Sequence, residues 1–400
     1  MTTATYRGTF AVGEFRAIWL AELQSIFGDQ LARVALSVLV YQRTNSAALP
    51  ALTYALTYLP DLVGGPLLGG LADKYPRRAV MVTVDVIRAV LVALMAIHGM
   101  PLLILVILLV IVQLLNAPFT SAQAAVLPNV LSGEHYDIGQ SIRQVTSQAG
   151  QLAGFAGGGL VIGALGPNNA LALNAVSFAL SAVIIRLGVH PRPPAGLPEK
   201  PVAHRLRSGV RTIWHDPRLR ALVGLAWLAG FVTVPEGLAV PYAAEIGGGA
   251  VTTGLLLAAH PAGIVLGASI WSRWVPAEVR LRYIGVLAAL AIVPLVGYAF
   301  RPGLIGTMIL LVISGSCAAY QITAAATFMR LVPDAERGQA FGLAGAGLIA
   351  VQGIGLLVGA LVVLGTNSPS MTVSLIAGAG VLTAIPAALA WRRARIASPL

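Results

Sequence analysis

The feature of this sequence that most restricts its fold is the repeated occurrence of apolar stretches long enough to cross a lipid bilayer. A helix needs roughly 20 residues to span a hydrocarbon core of about 30 Å, and about twelve such stretches, with short polar breaks, occupy the chain. Only 10% of the 400 residues are charged and 57% are hydrophobic, which excludes a string of soluble domains. The sequence therefore predicts an all-α integral membrane protein with twelve transmembrane helices.

The apolar stretches also set the order of the predicted spans. They lie near 17–42, 49–71, 79–98, 101–126, 137–163, 168–188, 219–244, 250–274, 281–300, 303–331, 338–364 and 369–391. Glu22, Asp29 and Arg33 interrupt the first stretch, so we expect a retained span rather than a cleavable signal peptide. The lone cysteine, Cys317, lies in an apolar run, which excludes a disulfide framework and a thiolate metal cluster. We predict no metal and no cofactor.

The distribution of basic residues predicts the orientation of the chain. An even number of spans places both termini on one side, and nearly all of the 26 Lys and Arg residues fall on that side. Only Arg43 and Arg301 fall on the other side, while Arg33 and Arg88 lie inside spans. Basic residues concentrate in cytoplasmic loops, so we expect both termini to be cytoplasmic in a plasma (inner) membrane. The same asymmetry explains the net charge of +11 without nucleic-acid binding.

A long polar interval at 189–218 divides the predicted spans into six and six. It begins with a proline-rich segment and continues as a basic segment in which Val210, Ile213 and Trp214 recur at near-helical spacing. We interpret the basic segment as an amphipathic helix resting on anionic lipid; a site for a regulatory partner is the alternative. The predicted domains are an N-terminal six-helix bundle, 1–188, a cytoplasmic linker, 189–218, and a C-terminal six-helix bundle, 219–400.

One loop concentrates charge in a chain that has little of it. The segment GGLADKYPRR, 69–78, holds one acid and three bases between the second and third spans. Asp73 lies at the negative end of a helix dipole, where a carboxylate is disfavoured by up to about 1 kcal/mol. It therefore needs a partner, such as Arg77, Arg78 or the N-terminus of another helix. Gly69 and its neighbouring glycines permit close helix packing in lipid. We interpret the segment as a charged latch on a movable helix.

This loop resembles the signature G-x-L-A-D-[RK]-x-G-R-[RK] between the second and third helices of the major facilitator superfamily. The matching residues are Gly69, Leu71, Asp73, Lys74, Arg77 and Arg78. The segment after the tenth span resembles a further feature of the drug and macrolide exporter branch of this superfamily. The matching residues are Pro333, Asp334, Arg337 and Gly338. The resemblance implies a monomer of two six-helix bundles rocking around a central cavity. It also implies that Asp73 clamps the second helix to the eleventh in the outward-open state, with Arg337 and Gly338 as its neighbours.

The loop departs from the family pattern at one position. Pro76 stands where the pattern has glycine. Because proline fixes φ at about −65° and lacks an N–H, we expect no positive-φ turn there. In the second half of the chain Trp271 stands where the acid would be, so any latch there is degenerate.

Ionisable side chains inside the predicted spans are the candidates for proton coupling, because charge within lipid is costly. Asp61 has no basic neighbour in sequence and lies roughly 18 Å deep at 1.5 Å per residue. Asp29 lies one turn before Arg33, so a local ion pair is the alternative for both. Glu236 lies between two prolines in span seven, and a charge near the outer interface is the alternative. His260 is a candidate proton relay, against a buried histidine bonded to a carbonyl.

Three further charged residues lie nearer the cytoplasmic side of their spans. They are Glu22 and the pair Asp85 and Arg88, which are three residues apart on one helix face. We expect these three to be structural.

Polar and aromatic residues on spans one, four, seven and ten are the candidates for substrate contact, because the resemblance implies that these spans line the cavity. They are Gln113, Asn116, Gln123, Trp227, Tyr320 and Gln321. The alternative role is hydrogen bonding between helices, which is of order 1 kcal/mol for each bond. A cavity with few fixed charges favours an amphipathic substrate over a sugar phosphate or a dicarboxylate.

These observations predict a secondary active transporter and not an enzyme. We expect a proton-coupled antiporter that exports amphipathic small molecules such as drugs or secondary metabolites. An uptake symporter and a non-transporting substrate sensor of the same fold are the alternatives. An ATP-driven pump is set aside because the chain has no Gly-Lys-[Ser/Thr] phosphate loop, and neither hydrolase motif, H-E-x-x-H or G-x-S-x-G, occurs.

Overall fold

The computed structural model describes residues 5–194, 202–333 and 336–397, and all regular secondary structure in those residues is helical. Before the linker the helices are α1, Tyr6–Ala11; α2, Gly13–Thr44; α3, Ala48–Ala55; α4, Leu59–Leu68; α5, Leu71–Lys74; α6, Arg77–Met95; α7, Leu102–Leu114; α8, Asn116–Val130; α9, Glu134–Leu165; and α10, Pro167–Gly188. From the linker onward they are α11, Val202–His215; α12, Pro217–Trp227; α13, Ala229–Val232; α14, Val234–Gly237; α15, Ala239–Glu245; α16, Ala250–Trp274; α17, Ala277–Leu290; a 3-10 helix, Val293–Phe300; α18, Gly303–Ala318; α19, Tyr320–Leu331; α20, Arg337–Thr366; and α21, Pro369–Ala397.

Nine helical segments in the described part of the chain are long and apolar enough to cross a membrane by length and composition. Predicted spans two, three and five are not among them, each for a local reason. Span two is divided among α3, α4 and α5. Span three is α6, which carries four charged residues, and span five is α9, which is rich in glutamine and glycine.

The helices group into two compact units. The first unit comprises Met1–Val40 and Leu59–Glu199, and the second comprises Tyr41–Tyr58 and Lys200–Leu400. The end of α2 and all of α3 therefore belong to the second unit. The domain boundaries at 188 and 219 stay predictions, and residues 195–201 of the expected linker lie outside the described residues.

The seventh span is not one continuous helix, and proline accounts for its breaks near Pro235 and Pro241. The span runs through the four short helices α12 to α15, with Pro235 in α14 and Pro241 in α15. Proline lacks the N–H that a helix interior needs and leaves a carbonyl without its usual donor. At the break before α14, the carbonyl of Ala229 accepts from the backbone N–H of Thr233 at 3.0 Å and from its hydroxyl at 2.8 Å. The interrupted backbone places Glu236 beside a break in the helix.

Small residues set the closest helix contacts in each unit. In the first unit a Cβ on Gly64 would lie 2.9 Å from the carbonyl of Leu114, so α4 packs directly on the backbone of α7. In the second unit a Cβ on Gly267 would overlap the backbone of Ser316, and one on Gly315 would overlap the carbonyl of His260. In lipid, where apolar burial between helices offers little driving force, such close approach supplies the packing energy.

The amphipathic helix predicted in the linker corresponds to α11. Its Ile213 is buried in the core of the second unit, and its Thr212 bonds to Glu336 at the start of α20. Val210 and Trp214 remain 46% and 64% exposed. Of the three apolar residues predicted at near-helical spacing, Ile213 therefore anchors α11 to the second unit, and Val210 and Trp214 face outward.

Candidate proton and substrate sites

The first unit holds a chain of polar side chains that starts at Asp61. The Asn116 amide donates to both carboxylate oxygens of Asp61, at 3.3 and 3.2 Å. Arg88 in turn donates from Nη2 to Oδ1 of Asn116 at 3.1 Å and from Nε to the carbonyl of Val112 at 3.3 Å. The acid of α4, the amide of α8 and the guanidinium of α6 thus form one hydrogen-bonded line.

Arg88 is stabilised by aromatic faces as well as by hydrogen bonds. Its side chain is 3% exposed, and its guanidinium carbon lies 4.8 Å from the ring centroid of Phe178 and 6.0 Å from that of Phe119. A cation over an aromatic ring gains roughly 0.5–2 kcal/mol, more when water is excluded. Neutral hydrogen-bond acceptors and aromatic faces therefore contribute to holding the positive charge of Arg88.

Two further acids surround Arg88. Its charge and that of Arg33 both act on the half-buried carboxylate of Asp29. Asp85 is fully buried, and the hydroxyl of Ser181 and the charge of Arg88 both act on its carboxylate. Asp29 thus lies in the field of Arg88 as well as that of Arg33, and the local ion pair given as the alternative for Asp29 and Arg33 stays a prediction.

A second polar cluster joins α2, α8 and α9. Arg143 contacts Glu22 with two nitrogens, at 2.5 Å from Nε and 3.0 Å from Nη2. Gln123 accepts from the same Nη2 at 3.0 Å and donates to Glu22 at 3.3 Å. Sequence reasoning placed Arg143 among the cytoplasmic bases and missed its pairing with Glu22. The one available signal was an acid within a span that lacked a nearby base.

The second unit contains the acid Glu236, which accepts a hydrogen bond from the hydroxyl of Tyr58 at 3.3 Å. Glu236 also lines a small cavity with His260 and Tyr242, and the volume open to the centre of a water molecule is about 10 Å³. A cavity of that size has room for about one water. Nε2 of His260 has no hydrogen-bond partner among the described residues, so the cavity brings an acid and an unpaired imidazole nitrogen to the same small space.

The remaining substrate-contact candidates have different surroundings. The Tyr320 hydroxyl is buried and donates to the carbonyl of Leu225 at 2.6 Å, which ties α19 to α12. Trp227 is 39% exposed, and a Cβ on Gly347 would lie 2.5 Å from its ring. Gln113 and Gln321 are half-buried. The assignment of all these residues to a substrate cavity stays a prediction.

The loop with the predicted latch lies at the end of α5. Arg77 donates to the carbonyl of Ala125 at 2.8 Å and Arg78 donates to that of Val189 at 3.2 Å. Within the described part of the first unit Asp73 forms no ion pair. Arg77 and Arg78 donate to backbone carbonyls instead. Pro76 has φ −55° and caps the start of α6, consistent with the extended turn expected of proline.

Other residues assigned to the latch have few close neighbours. Lys74 is exposed, with its ammonium 5.6 Å from the ring centroid of Tyr75. A Cβ on Gly69 would lie 2.6 Å from the carbonyl of Gly65, whereas one on Gly338 would meet nothing within 4 Å. Arg337 donates to the carbonyl of Val332 at 3.4 Å. The role of these residues as a latch stays a prediction, and Asp334 lies outside the described residues.

Ion pairs form at helix ends in each of the two units. Arg192 contacts Glu14 with both Nη atoms, at 2.5 and 2.9 Å, and these hydrogen bonds raise the pKa of the guanidinium. Asp216 caps α12 by accepting from the backbone of Arg218 at 2.8 Å. Burial raises the pKa of the Asp216 carboxyl, but its hydrogen bonds and ion pair with Arg218 outweigh that effect, so the pKa is lowered overall.

Comparison with known proteins identifies the family. The profile of the Major Facilitator Superfamily matches residues 18–300, which is more than half of the chain. The chain belongs to this superfamily. It is an integral membrane protein, and the family and fold expected from the latch signature are confirmed.

Among solved structures, a bacterial homologue of the human lysosomal transporter Spinster, in an inward-facing and occupied conformation, has the same fold. The TM-score is 0.75 at 14% identity, covering 96% of this chain and 98% of the other. A POT family transporter in complex with 5-aminolevulinic acid also has a TM-score of 0.75, at 12% identity, covering 95% of this chain and 96% of that one. At these identities the likeness concerns the fold alone.

Two relatives by sequence are named exporters. Macrolide efflux protein A of Streptococcus pyogenes is 27% identical over 125 residues, covering 30% of this chain and 31% of that protein. The enterobactin exporter EntS of Shigella boydii serotype 4 (strain Sb227) is 30% identical over 269 residues, covering 64% of this chain and 62% of that protein. Each match covers less than two thirds of the relative's length.

Proposed function

We propose that this transporter is a proton-coupled antiporter that exports amphipathic small molecules, such as drugs or secondary metabolites. The observation that carries the proposal is the bonding of Asp61. Among the described residues its carboxylate accepts from the neutral amide of Asn116 and forms no ion pair. An acid held by a neutral donor binds a proton without breaking a salt bridge.

Protonation of Asp61 changes the charge of the cluster and leaves its framework intact. Arg88 keeps its bonds to Asn116 and Val112 and its contact with Phe178 whether or not Asp61 is charged. One proton therefore changes the net charge of this buried cluster by one unit. If one orientation of the transporter favours the neutral cluster, proton binding and substrate binding are coupled reciprocally.

Glu236 is the second protonation site that we propose. It is bonded to Tyr58, a neutral donor, and it shares a cavity with His260. Asp29 is the third candidate, but it lies in the field of two arginines, Arg33 and Arg88. Nearby positive charge favours the charged form of an acid, and the same two arginines also act on Asp61, so the hydrogen bonds from Asn116 are what distinguish Asp61 from Asp29.

The direction of transport and the substrate class are supported by the named relatives and by the composition. Both an efflux protein for macrolides and an exporter of enterobactin match parts of this chain. In the first unit Arg143 is paired with Glu22 and Arg88 is hydrogen-bonded to Asn116, so neither arginine is free to pair with a highly charged substrate. Uptake by symport, or sensing without flux, are the alternatives that an assay of direction distinguishes.

The decisive experiment is accumulation of amphipathic dyes and antibiotics in everted membrane vesicles with an imposed acid-inside gradient. We compare the wild type with Asp61→Asn, Glu236→Gln and the exposed-acid control Glu278→Gln. We expect uptake in the wild type and the control, collapse with a protonophore, and loss in Asp61→Asn. Uptake that survives in Asp61→Asn moves the coupling role to Glu236 or Asp29.

The same assay also tests broad export against the two alternatives, uptake by symport and sensing without flux. Absence of gradient-driven accumulation of every compound in wild-type vesicles argues against broad export. Accumulation only when the gradient is reversed, with acid outside, supports the symporter. Ligand binding without flux in either direction supports the sensor.

A further inference from the structure

A groove lies between α12 and α21 in the second unit, where the first turn of one helix meets the last turns of the other. Its volume is about 520 Å³, within the usual range of about 300–1,000 Å³ for small-molecule sites. The lining residues are Pro217, Arg220, Ala221, Gly224, Ala387, Ala390, Arg393, Ala394 and Ala397. Apart from two arginines, every wall residue is alanine, glycine or proline.

The two arginines of this groove carry unbalanced positive charge. Arg220 and Arg393 are both exposed, and neither side chain forms an ion pair or hydrogen bond with the described residues. The nearest acid in sequence, Asp216, is already paired with Arg218 at 2.9 Å. The mouth of the groove therefore attracts anions.

The body of the groove is apolar and open. Ala221 and Ala394 are each 6% exposed and form part of its walls. A Cβ added to Gly224 would meet nothing within 4 Å, so the space beside this glycine is free along the helix. An apolar channel headed by two cations fits a molecule with an anionic head and a hydrocarbon tail.

We propose that this groove binds an anionic phospholipid, with its phosphate at Arg220 and Arg393 and the start of an acyl chain along the wall beside Gly224. Both helices end here at a membrane surface, where the headgroups of the surrounding bilayer are present. Arginines near an anionic membrane surface attract its lipids, and basic pockets between transmembrane helices bind phospholipid headgroups. The proposal does not depend on the direction of transport or on its coupling ion.

The test is native mass spectrometry of the full-length protein in detergent, titrated with phosphatidylglycerol, with phosphatidylethanolamine and with inorganic phosphate. We expect the wild type to retain phosphatidylglycerol at least about tenfold better than phosphatidylethanolamine, since two charges contribute. The double variant Arg220→Ala/Arg393→Ala loses this preference. The matched control is Arg392→Ala, which removes an exposed arginine on the same helix that does not line the groove.

A second variant tests the apolar wall of the groove separately from its two arginines. Gly224→Leu fills the free space while keeping both arginines, and we expect it to lose phosphatidylglycerol as the double variant does. Equal retention of phosphatidylglycerol by the wild type and the double variant overturns the proposal. So does equal loss in Arg392→Ala, which indicates diffuse surface charge. Binding of inorganic phosphate with no added affinity for the lipid indicates a simple anion site instead.

Discussion

The side-chain amide of Asn116 donates to both carboxylate oxygens of Asp61, at 3.3 and 3.2 Å. This single amide is the link between the acid and Arg88, because its oxygen accepts from the guanidinium at 3.1 Å. The acid and the base are therefore coupled through a neutral group rather than paired directly.

Replacing that link tests its importance for transport. Asn116→Leu keeps a similar volume but removes the donor of Asp61 and an acceptor of Arg88. Because hydrogen bonds to charged groups contribute about 1.5–3 kcal/mol, we expect gradient-driven uptake to fall at least about tenfold. The control is Asn129→Leu, an exposed position on the same helix α8. Wild-type uptake by Asn116→Leu contradicts a coupling role for the chain of hydrogen bonds.

Arg88 is expected to matter for stability more than any exposed arginine of the same unit. Its loss leaves the fully buried Asp85 without a nearby base, and removing one member of a buried charge cluster costs about 3–5 kcal/mol. We therefore expect Arg88→Leu to lower the thermal midpoint in detergent strongly, with Arg88→Lys in between. Arg186→Leu, at an exposed position on α10, provides the comparison. Equal midpoints for the Arg88→Leu and Arg186→Leu variants contradict this role.

The sequence predicted the fold better than it predicted the partners of the site residues. Apolar stretches and loop charges are local signals, so the spans, the family and the candidate acids Asp29, Asp61 and Glu236 were all accessible. Partners come from other helices, and no local pattern indicates that Asn116 faces Asp61 or that Tyr58 faces Glu236. The helix breaks near Pro235 have a local cause, because proline acts on its own backbone.

Arg88 illustrates the limit of reasoning from spacing. Its position three residues after Asp85 predicted a local structural pair. In the structure its hydrogen bonds instead go to Asn116 and Val112. Because α6, α7 and α8 pack around it, only the tertiary arrangement shows that Arg88 joins the candidate coupling site.

The Glu22 and Arg143 pair is predicted to be energetically coupled. Its two contacts, at 2.5 and 3.0 Å, join α2 to α9, and both side chains are less than a fifth exposed. A double-mutant cycle with Glu22→Gln and Arg143→Gln should give a coupling free energy of about 1–3 kcal/mol in thermal or denaturant unfolding. Independent, additive effects of the two substitutions contradict the pairing. The exchange variant Glu22→Arg/Arg143→Glu is expected to recover part of the stability.

Asp216 predicts a pH dependence of stability at the start of α12. The pKa of its carboxyl is lowered in the folded chain from an ordinary value of 3.8, so its contribution to stability is present above that value. The contribution is lost as the pH falls through the lowered pKa, because protonation removes the ion pair with Arg218. We expect the thermal midpoint of the wild type to fall more steeply below about pH 4 than that of Asp216→Asn, whose amide still caps the helix. Parallel curves contradict this assignment.

The contact between α16 and α18 gives a test of packing next to His260. A Cβ on Gly315 would overlap the carbonyl of His260, so Gly315→Ala must push the two helices apart. Overpacking of this kind costs about 1–3 kcal/mol, and we expect a lower thermal midpoint in detergent. Gly378→Ala in α21 is the matched control, because its added Cβ meets nothing within 4 Å and alanine is the better helix former. The control is expected to be neutral or slightly stabilising, so a similar loss in both variants means that backbone flexibility, and not the contact with His260, sets the requirement for glycine.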